Sequence, residues 1–402
     1  MKISLIQPGR NNLKYLKWSY NSIRKNQGNH TVEICVADDF SNDGTWDWCQ
    51  QMMESDPNFK AIRNDGPTRK GHTILYDRLV NEVASHDICM IYHADMYLCP
   101  KALDSIEWNL KPKTIVSLTR IEPPLHPPGP EKILMDCGIE PEEFNEDELF
   151  SYLQATDSER MHKTTEGIFA PWAFYKKDFQ EIGGHDPLYA PQSKEDSDIF
   201  NRFQLNGIKF IQTWEGCVYH MTCRGSRFAD GAKRNPDGKV FMKNRETDEW
   251  LKQNEKASRE FIRKWGHFVK HDAFLKPIVP PKYDIGFIIQ NGNMQLLEAL
   301  EPWCSNVYCD EQFNIGRYAD YVEMEDTSFD LYEKFKPFDN EKQNEILIQI
   351  DGNKFTQEDF RYIQQMSEII QDSGEETFHG EIGNLVIDII EMNTYEKDLI
   401  SC

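Results

Sequence analysis

Short apolar runs that end in polar turns alternate with stretches of helical spacing through the first two thirds of the chain. Lys2–Gln7 reads as a strand entering a turn at Pro8-Gly9-Arg10-Asn11. Leu13, Leu16, Tyr20 and Ile23 then recur on one helix face until Gly28. Val32–Ala37 is a second strand, opening into Asp38-Asp39 and the loop FSNDG, with Thr45 as N-cap of a helix over Trp46–Met53. Arg69-Lys70-Gly71 precedes a helix over Thr73–Val83. That helix delivers the chain to Ile88–Tyr92, an apolar run that stops abruptly at His93-Ala94-Asp95 and has the composition of a strand buried on both faces. Strands and helices in this order predict a parallel sheet with right-handed crossovers. Thr114–Thr119 is a further strand. The stretch IEPPLHPPGP after it is too rich in proline for a helix or a central strand. Glu131–Thr165 is polar, acidic and partly helical, and reads as an insertion or flap over a site, so the inserted region runs over about 121–165. Strand character returns at Glu166–Tyr175, Gly207–Trp214 and Cys217–Met221. Between them lies a helix near Glu195 with Ile199 and Phe203 on one face and Gly207 at its end. A long polar helix covers Asn244–Trp265.

KPIVPPK, Lys276–Lys282, reads as a linker between a first domain, 1–275, and a second, 283–402. In the second, apolar strands (Ile285–Ile289, Ile346–Ile350, Leu385–Ile390) mix with helical stretches (Met294–Trp303, Gln357–Ile370), which predicts a small α/β or α+β domain. The length of 402 residues agrees with two cores. The net charge of −22 sits mainly in this second part: Tyr283–Cys402 holds 26 Asp and Glu against 7 Lys and Arg. Such acidity argues against nucleic acid as a partner. The part could instead hold an acceptor, a partner enzyme or a second copy of the chain, and the residues do not choose among these. No stretch approaches the ~20 apolar residues of a membrane span, and the first residues lack the apolar core of a signal peptide. Ten scattered cysteines with no C-x-x-C pair suggest reduced thiols in the cytoplasm and argue against structural zinc.

Candidate chemistry gathers at the strand ends. Asp95 is placed either to hold a hard divalent cation or to cap the helix that starts near Pro100. Asp38 and Asp39 can hydrogen-bond a ribose or base edge, or only build the turn. Lys70, beside Arg69 and ahead of a helix N-terminus, suits a diphosphate, or is a solvated basic turn. Glu195 and Asp196 lie in the first turn of a helix. A carboxylate there can take a proton from an attacking hydroxyl, while Ser193 with Asp196 also has the spacing of a capping box. His220 ends a strand, and imidazole plus carboxylate suits a transition metal such as Mn²⁺. Arg224 and Arg227 lie in a loop that could close over phosphates. Trp172 and Trp214 could stack on sugars, although core packing is the commoner fate of tryptophan.

Taken together, the segments resemble a GT-A-fold glycosyltransferase of the family 2 type over roughly Lys2–Phe268. ISLIQPGRN resembles the first strand and turn, ADDFSNDGT the segment whose acids meet the nucleotide, and SHDICMIYHAD the strand ending in the D-x-D signature. GGHDPLYAPQSKEDSDIFNRF followed by VYHM is similar to the acceptor and base segment of β-1,4-galactosyltransferases. The resemblance implies an α/β, GT-A mixed sheet flanked by helices. It implies an inverting, metal-dependent transfer of one sugar from a nucleotide-diphosphate sugar, most simply a UDP-sugar, to a hydroxyl of a glycan or other acceptor. Asp95 and His220 would bind Mn²⁺ (or Mg²⁺), Asp39 would contact the nucleoside, and Asp196 would be the base with Glu195 beside it. Donor and acceptor contacts would fall on Pro8, Arg10, Asp38, Asp39, Lys70, His93, Gly184, Trp172, Arg224 and Arg227. The chain departs from the pattern at His93, which stands where the signature has its first acid. It also lacks the Q-x-x-R-W signature of polymerising members. Two other readings stay open: a binding or interaction module of the same fold without turnover, and a sugar nucleotidylyltransferase. The latter should carry a glycine-rich loop after its first strand, and QPGRNN matches that poorly.

Overall fold

The first strand, β1 (Lys2–Gly9), buries six successive residues because it lies inside a sheet with helices on both faces. The computed structural model describes residues 1–222, 246–309 and 315–401. After β1 come α1 (Leu13–Asn26), β2 (Thr31–Asp39), α2 (Thr45–Ser55), β3 (Phe59–Asn64), α3 (Gly71–Arg78, extended by a π-turn to Val83), β4 (Ile88–Ile91) and β5 (Met96–Leu98). Then follow α4 (Ala102–Asn109), β6 (Thr114–Glu122), β7 (Lys132–Leu134), α5 (Glu146–Ala155), α6 (Asp157–Arg160), β8 (Thr164–Thr165), β9 (Trp172–Tyr175), α7 (Lys176–Glu181), α8 (Glu195–Leu205), β10 (Lys209–His220) and α9 (Asp248–Trp265).

The main path of the sheet runs β3-β2-β1-β4-β9-β6-β10-β5, with β7 beside β6 and β8 beside β10. β1 to β4 are mutually parallel where they pair, as the strand–helix alternation predicts. β9 runs antiparallel between β4 and β6, and β5 antiparallel on β10, so the sheet is mixed. Hydrophobic pattern alone carries no strand direction, and four- and three-residue strands show little pattern. The two runs expected at 207–214 and 217–221 form the single strand β10, whose register on β6 shifts between Thr213 and Cys217. Gly216 lies at that irregularity. A Cβ there would come within 1.9 Å of Ser105 Oγ on α4, so glycine lets helix and strand meet.

The insertion is packed rather than loose. Cys137, Leu149, Ile121, Tyr97, Cys217, Tyr219 and Met221 form one buried cluster, with Phe144, Phe150 and Leu153 against it. Tyr219 donates to the Gly138 carbonyl at 2.6 Å and accepts from the Cys137 amide at 3.0 Å, tying the insertion to β10.

The chain divides into two compact units, residues 1–253 with 271–277, and residues 254–270 with 278–401, so the boundary falls inside α9. The second unit has its own six-stranded sheet, β11 (Ile285–Gln290), β12 (Asn306–Cys309), β13 (Phe335–Pro337), β14 (Ile346–Asp351), β15 (Phe378–Ile382) and β16 (Leu385–Ile389), in the order β13-β12-β11-β14-β16-β15. Four strands are parallel and the last two form an antiparallel hairpin against them. The helix expected over 357–370 is two helices, Gln357–Gln364 and Met366–Ser373, interrupted at Gln365.

Candidate active site

β4 ends at Ile91, and the turn through His93-Ala94-Asp95 leads directly into β5. β5 pairs with the end of β10, where Met96 lies opposite His220. The Met221 amide donates to the Asp95 carbonyl at 3.0 Å, which fixes the turn against that strand end. Topology thus brings residues more than a hundred positions apart together. One ligand atom from each of His93, Asp95 and His220 lies within 4.8 Å of the others. His220 Nε2 is 3.4 Å from Asp95 Oδ1, and the His93 and His220 rings are 5.6 Å apart. Asp95 and His220 retain 9% and 7% of their exposure, so the cluster is shielded but open. Burial opposes charge on His220, yet Asp95 and Glu122 outweigh it and raise its pKa to about 9. Burial and the neighbouring His220 pull His93 down to about 3, which keeps it neutral. A carboxylate with imidazoles is a donor set that fits a divalent transition metal.

The acidic pair of β2 faces a different task. Asp39 accepts from the amides of Lys70 (3.0 Å) and Gly71 (2.9 Å) and from Asn64 Nδ2 (2.7 Å). Against the effect of burial, these bonds lower its pKa. Asp38 is fully buried, 3.2 Å from Arg63 Nε, and accepts from the Ser41 amide. Asp39 therefore holds the loop that leads to α3, while Asp38 holds the turn after β2 and the end of β3. Lys70 is the residue before that helix, whose start is pinned elsewhere too. Gly71 has φ +75°, and a Cβ on it would lie 1.9 Å from the Pro191 carbonyl oxygen. Pro8 is buried in β1 beside Ala37, and Arg10 donates to the Phe40 carbonyl at 3.4 Å while its guanidinium lies over the Phe40 ring.

Glu195 and Asp196 open α8. The N-cap is Lys194, in left-handed conformation like Ser193 before it, so the helix starts one residue later than a Ser193–Asp196 capping box requires. Burial raises the pKa of both carboxyls, and the charge on Asp196 raises Glu195 further. A raised carboxyl is what a base working near neutral pH needs. Behind them, Arg202 and Asp198 form an ion pair at 2.8 Å with neither side chain exposed, and Arg202 also donates to the Ile182 carbonyl at 2.9 Å. This links α8 to the loop of Gly183 and Gly184. Gly184, at φ +76°, leaves room for Asp77, whose carboxylate takes His185 Nδ1 at 2.7 Å and the His185 amide at 3.0 Å.

The two centres share neighbours that carry no motif. The charges of Asp196, Glu195 and Asp95 all act on the Tyr76 phenol, whose pKa burial raises first. The His72 ring lies 5.8 Å from the Tyr76 ring, tilted by 49°, and burial lowers the His72 pKa to about 4, with Asp39 and Asp95 opposing. The spacing of His72 and Tyr76, one helical turn apart on α3, was the available signal. Glu122 and His185 were equally unmarked. Trp172 has no exposure and packs against Phe174, Phe200 and Phe203, a core position in which no sugar can stack on it. Arg224 and Arg227 lie outside the described residues.

The acids and imidazoles gather at strand ends of a mixed α/β sheet, where open α/β sheets place their ligands. Residues 4–118, within the first unit, match the family model described as Glycosyl transferase family 2. No curated protein matches the chain. Among solved structures, it is similar to the mannosyltransferase PcManGT from Pyrobaculum calidifontis in complex with GDP-Man and Mn²⁺, at 16% identity and TM-score 0.39, over 55% of this chain and 57% of that one. It is also similar to GalNAc-T7 with UDP, GalNAc and Mn²⁺, at 14% identity and TM-score 0.40, over 55% and 44%. A third is TarS 1–349 of S. aureus, at 15% identity and TM-score 0.39, over 55% and 60%. The chain thus spans about half the length of the solved structures it matches. No helix among the described residues is long and apolar enough to cross a membrane.

Proposed function

We propose that the first unit is an inverting glycosyltransferase that moves a single sugar from a nucleotide-diphosphate sugar, a UDP-sugar in the simplest case, to an acceptor hydroxyl. The observation that carries this is the convergence of Asp95 and His220 near the end of β10. Asp95 and His220 would hold a divalent cation, whose charge would stabilise a leaving diphosphate. Asp196 takes the proton from the acceptor hydroxyl, and burial keeps its proton affinity suited to that task. Glu195 orients the acceptor. Lys70, at the start of α3, would face the diphosphate. Asp39 acts on the nucleoside indirectly, by setting the loop from Asn64 to Gly71. The assignment of Asp196 rests on the likeness of residues 183–203 to β-1,4-galactosyltransferases.

The test is a hydrolysis screen of UDP-, GDP- and dTDP-sugars with and without Mn²⁺, on wild type, Asp95→Ala and Asp196→Asn. Release from one donor that needs Mn²⁺ and is lost in Asp95→Ala supports the reading. With an acceptor found, Asp196→Asn should lower turnover by roughly 10²–10⁴-fold and leave donor affinity nearly intact. Calorimetry showing no binding of any of these donors would overturn the reading in favour of an interaction module.

A further inference from the structure

Glu122 ends β6 at a position that belongs to no signature, yet its carboxylate is almost wholly buried against the metal-site cluster. Oε1 is 2.9 Å from His220 Nδ1 and 2.8 Å from Arg120 Nη1, and Oε2 is 3.3 Å from Lys132 Nζ. The two cations compensate the buried charge, so the carboxylate stays ionised while it accepts from the imidazole. With Nδ1–H engaged by Glu122, the nitrogen left for a cation is Nε2, the one that faces Asp95 at 3.4 Å. A carboxylate behind a ligating histidine fixes the ring tautomer and raises the basicity of the ligating nitrogen. On the other side stands His93, in the place where an acid would be expected, with a ring nitrogen inside the same 4.8 Å group. Two ligands about 2.1 Å from one metal lie roughly 3–4 Å apart, so the three groups need to close by only about an ångström.

We propose that His93 is a third ligand and Glu122 the positioning residue of His220, so that this chain's site is a His–Asp–His set selective for transition metals over Mg²⁺. The proposal rests on the reading of Asp95 and His220 as metal ligands. Its logic is chemical hardness. Mg²⁺ favours oxygen donors and dehydrates reluctantly, whereas two imidazoles and one carboxylate suit Mn²⁺, Co²⁺, Ni²⁺ or Cu²⁺. Replacing an acid by His93 also removes one negative charge from the site, which weakens Mg²⁺ further.

The experiment uses the full chain and the metals alone. Affinities for Mn²⁺ and Mg²⁺ are measured by calorimetry, and Cu²⁺-loaded protein is examined by electron spin-echo envelope modulation, which counts bound imidazoles through their remote nitrogens. Wild type should show two imidazoles and bind Mn²⁺ at least tenfold more tightly than Mg²⁺. His93→Ala should show one imidazole, and His93→Asp should narrow or invert the Mn²⁺ to Mg²⁺ ratio. Glu122→Gln should weaken Mn²⁺ by roughly 10–100-fold. It should also alter the remote-nitrogen quadrupole coupling of one imidazole only, a signature that general loosening of the fold would not give. Thermal melts of each variant identify any that fail to fold, and His93→Asn then replaces His93→Ala. A single imidazole in wild type, unchanged in His93→Ala, overturns the proposal while Asp95→Ala can still abolish binding. Mn²⁺ binding that survives Asp95→Ala overturns the underlying site reading as well.

Discussion

Removing the Asp198 carboxylate should be among the most damaging single changes in the first unit. Asp198 and Arg202 sit one turn apart on α8, both without exposure, with Nε 2.8 Å from Oδ2. Arg202 spends a second donor on the Ile182 carbonyl. In Asp198→Ala the guanidinium stays buried with its counter-charge gone, and breaking such a pair costs roughly 3–5 kcal/mol. For a unit of about 250 residues, each kcal/mol lowers Tm by roughly 2–4 °C, which gives a fall of roughly 6–20 °C. The assay is thermal unfolding followed by near-ultraviolet circular dichroism, to which Trp172, packed on Phe200 and Phe203 of this helix, contributes. The same physics makes a second demand. Asp198→Ala combined with Arg202→Met removes both charges and fills the space with an apolar chain, so the double variant should recover most of the loss. A melt of Asp198→Ala within ~2 °C of wild type, or a double variant less stable than the single one, would refute the reasoning. Because the pair anchors the helix that presents Glu195 and Asp196, the loss should reach turnover before it reaches Mn²⁺ affinity.

Two further outcomes follow from other parts of the molecule. In the second unit, Glu301 is buried, and although burial favours its neutral form, Lys334 at 2.7 Å and Arg263 at 2.6 Å lower its pKa to about 2. A lowered folded-state pKa gives stability that is complete above the unfolded value near 4.5 and is lost as pH falls toward 2. The loss is on the order of 3 kcal/mol. Denaturant midpoints taken between pH 6 and 2.5 should show it, and Glu301→Gln should be less stable at pH 6 with a flatter dependence. In the first unit, Gly71→Ala places a methyl against the Pro191 carbonyl at a φ that disfavours alanine. It should cost roughly 1–3 kcal/mol, read as a lower Tm together with weaker donor binding, and an unchanged melt would contradict the close approach.

Much of this fold can be read from local pattern, and the reason is visible in where the readings stop. β1, β2 and β4 bury both faces, so their apolar runs, which reach Gln7, Ala37 and Tyr92, stop within two residues of the strand ends at Gly9, Asp39 and Ile91. The direction of β9 and the continuity of β10 across Gly216 depend on partners distant in sequence, and no local period encodes them. Charge density in Glu131–Thr165 suggests an insertion or flap and hides how the segment is seated. In fact a few apolar positions at wide spacing (Cys137, Phe144, Leu149) are enough to seat the segment on β10.

The site divides along the same line. Asp95 and His220 stand out because each follows an apolar run at a strand end, and Glu195 and Asp196 because they open a helix whose apolar face follows them. Glu122, His72, Tyr76 and His185 lie within ordinary-looking elements and gain meaning only from what folding sets beside them: a carboxylate 2.9 Å behind His220, a phenol between two acidic centres, an imidazole clamped by Asp77. Asp39 shows the converse. Its neighbours in sequence suggest a ligand contact, but three hydrogen bonds to residues 64–71 engage its carboxylate in shaping the loop. A motif therefore marks where polar groups must gather, and the hydrogen bonds decide which of them stay free to act. By that criterion the departure at His93 is a change of donor rather than a loss. A neutral imidazole at the head of β5, beside a histidine held by its own carboxylate, keeps the capacity to bind a cation and alters which cation it prefers.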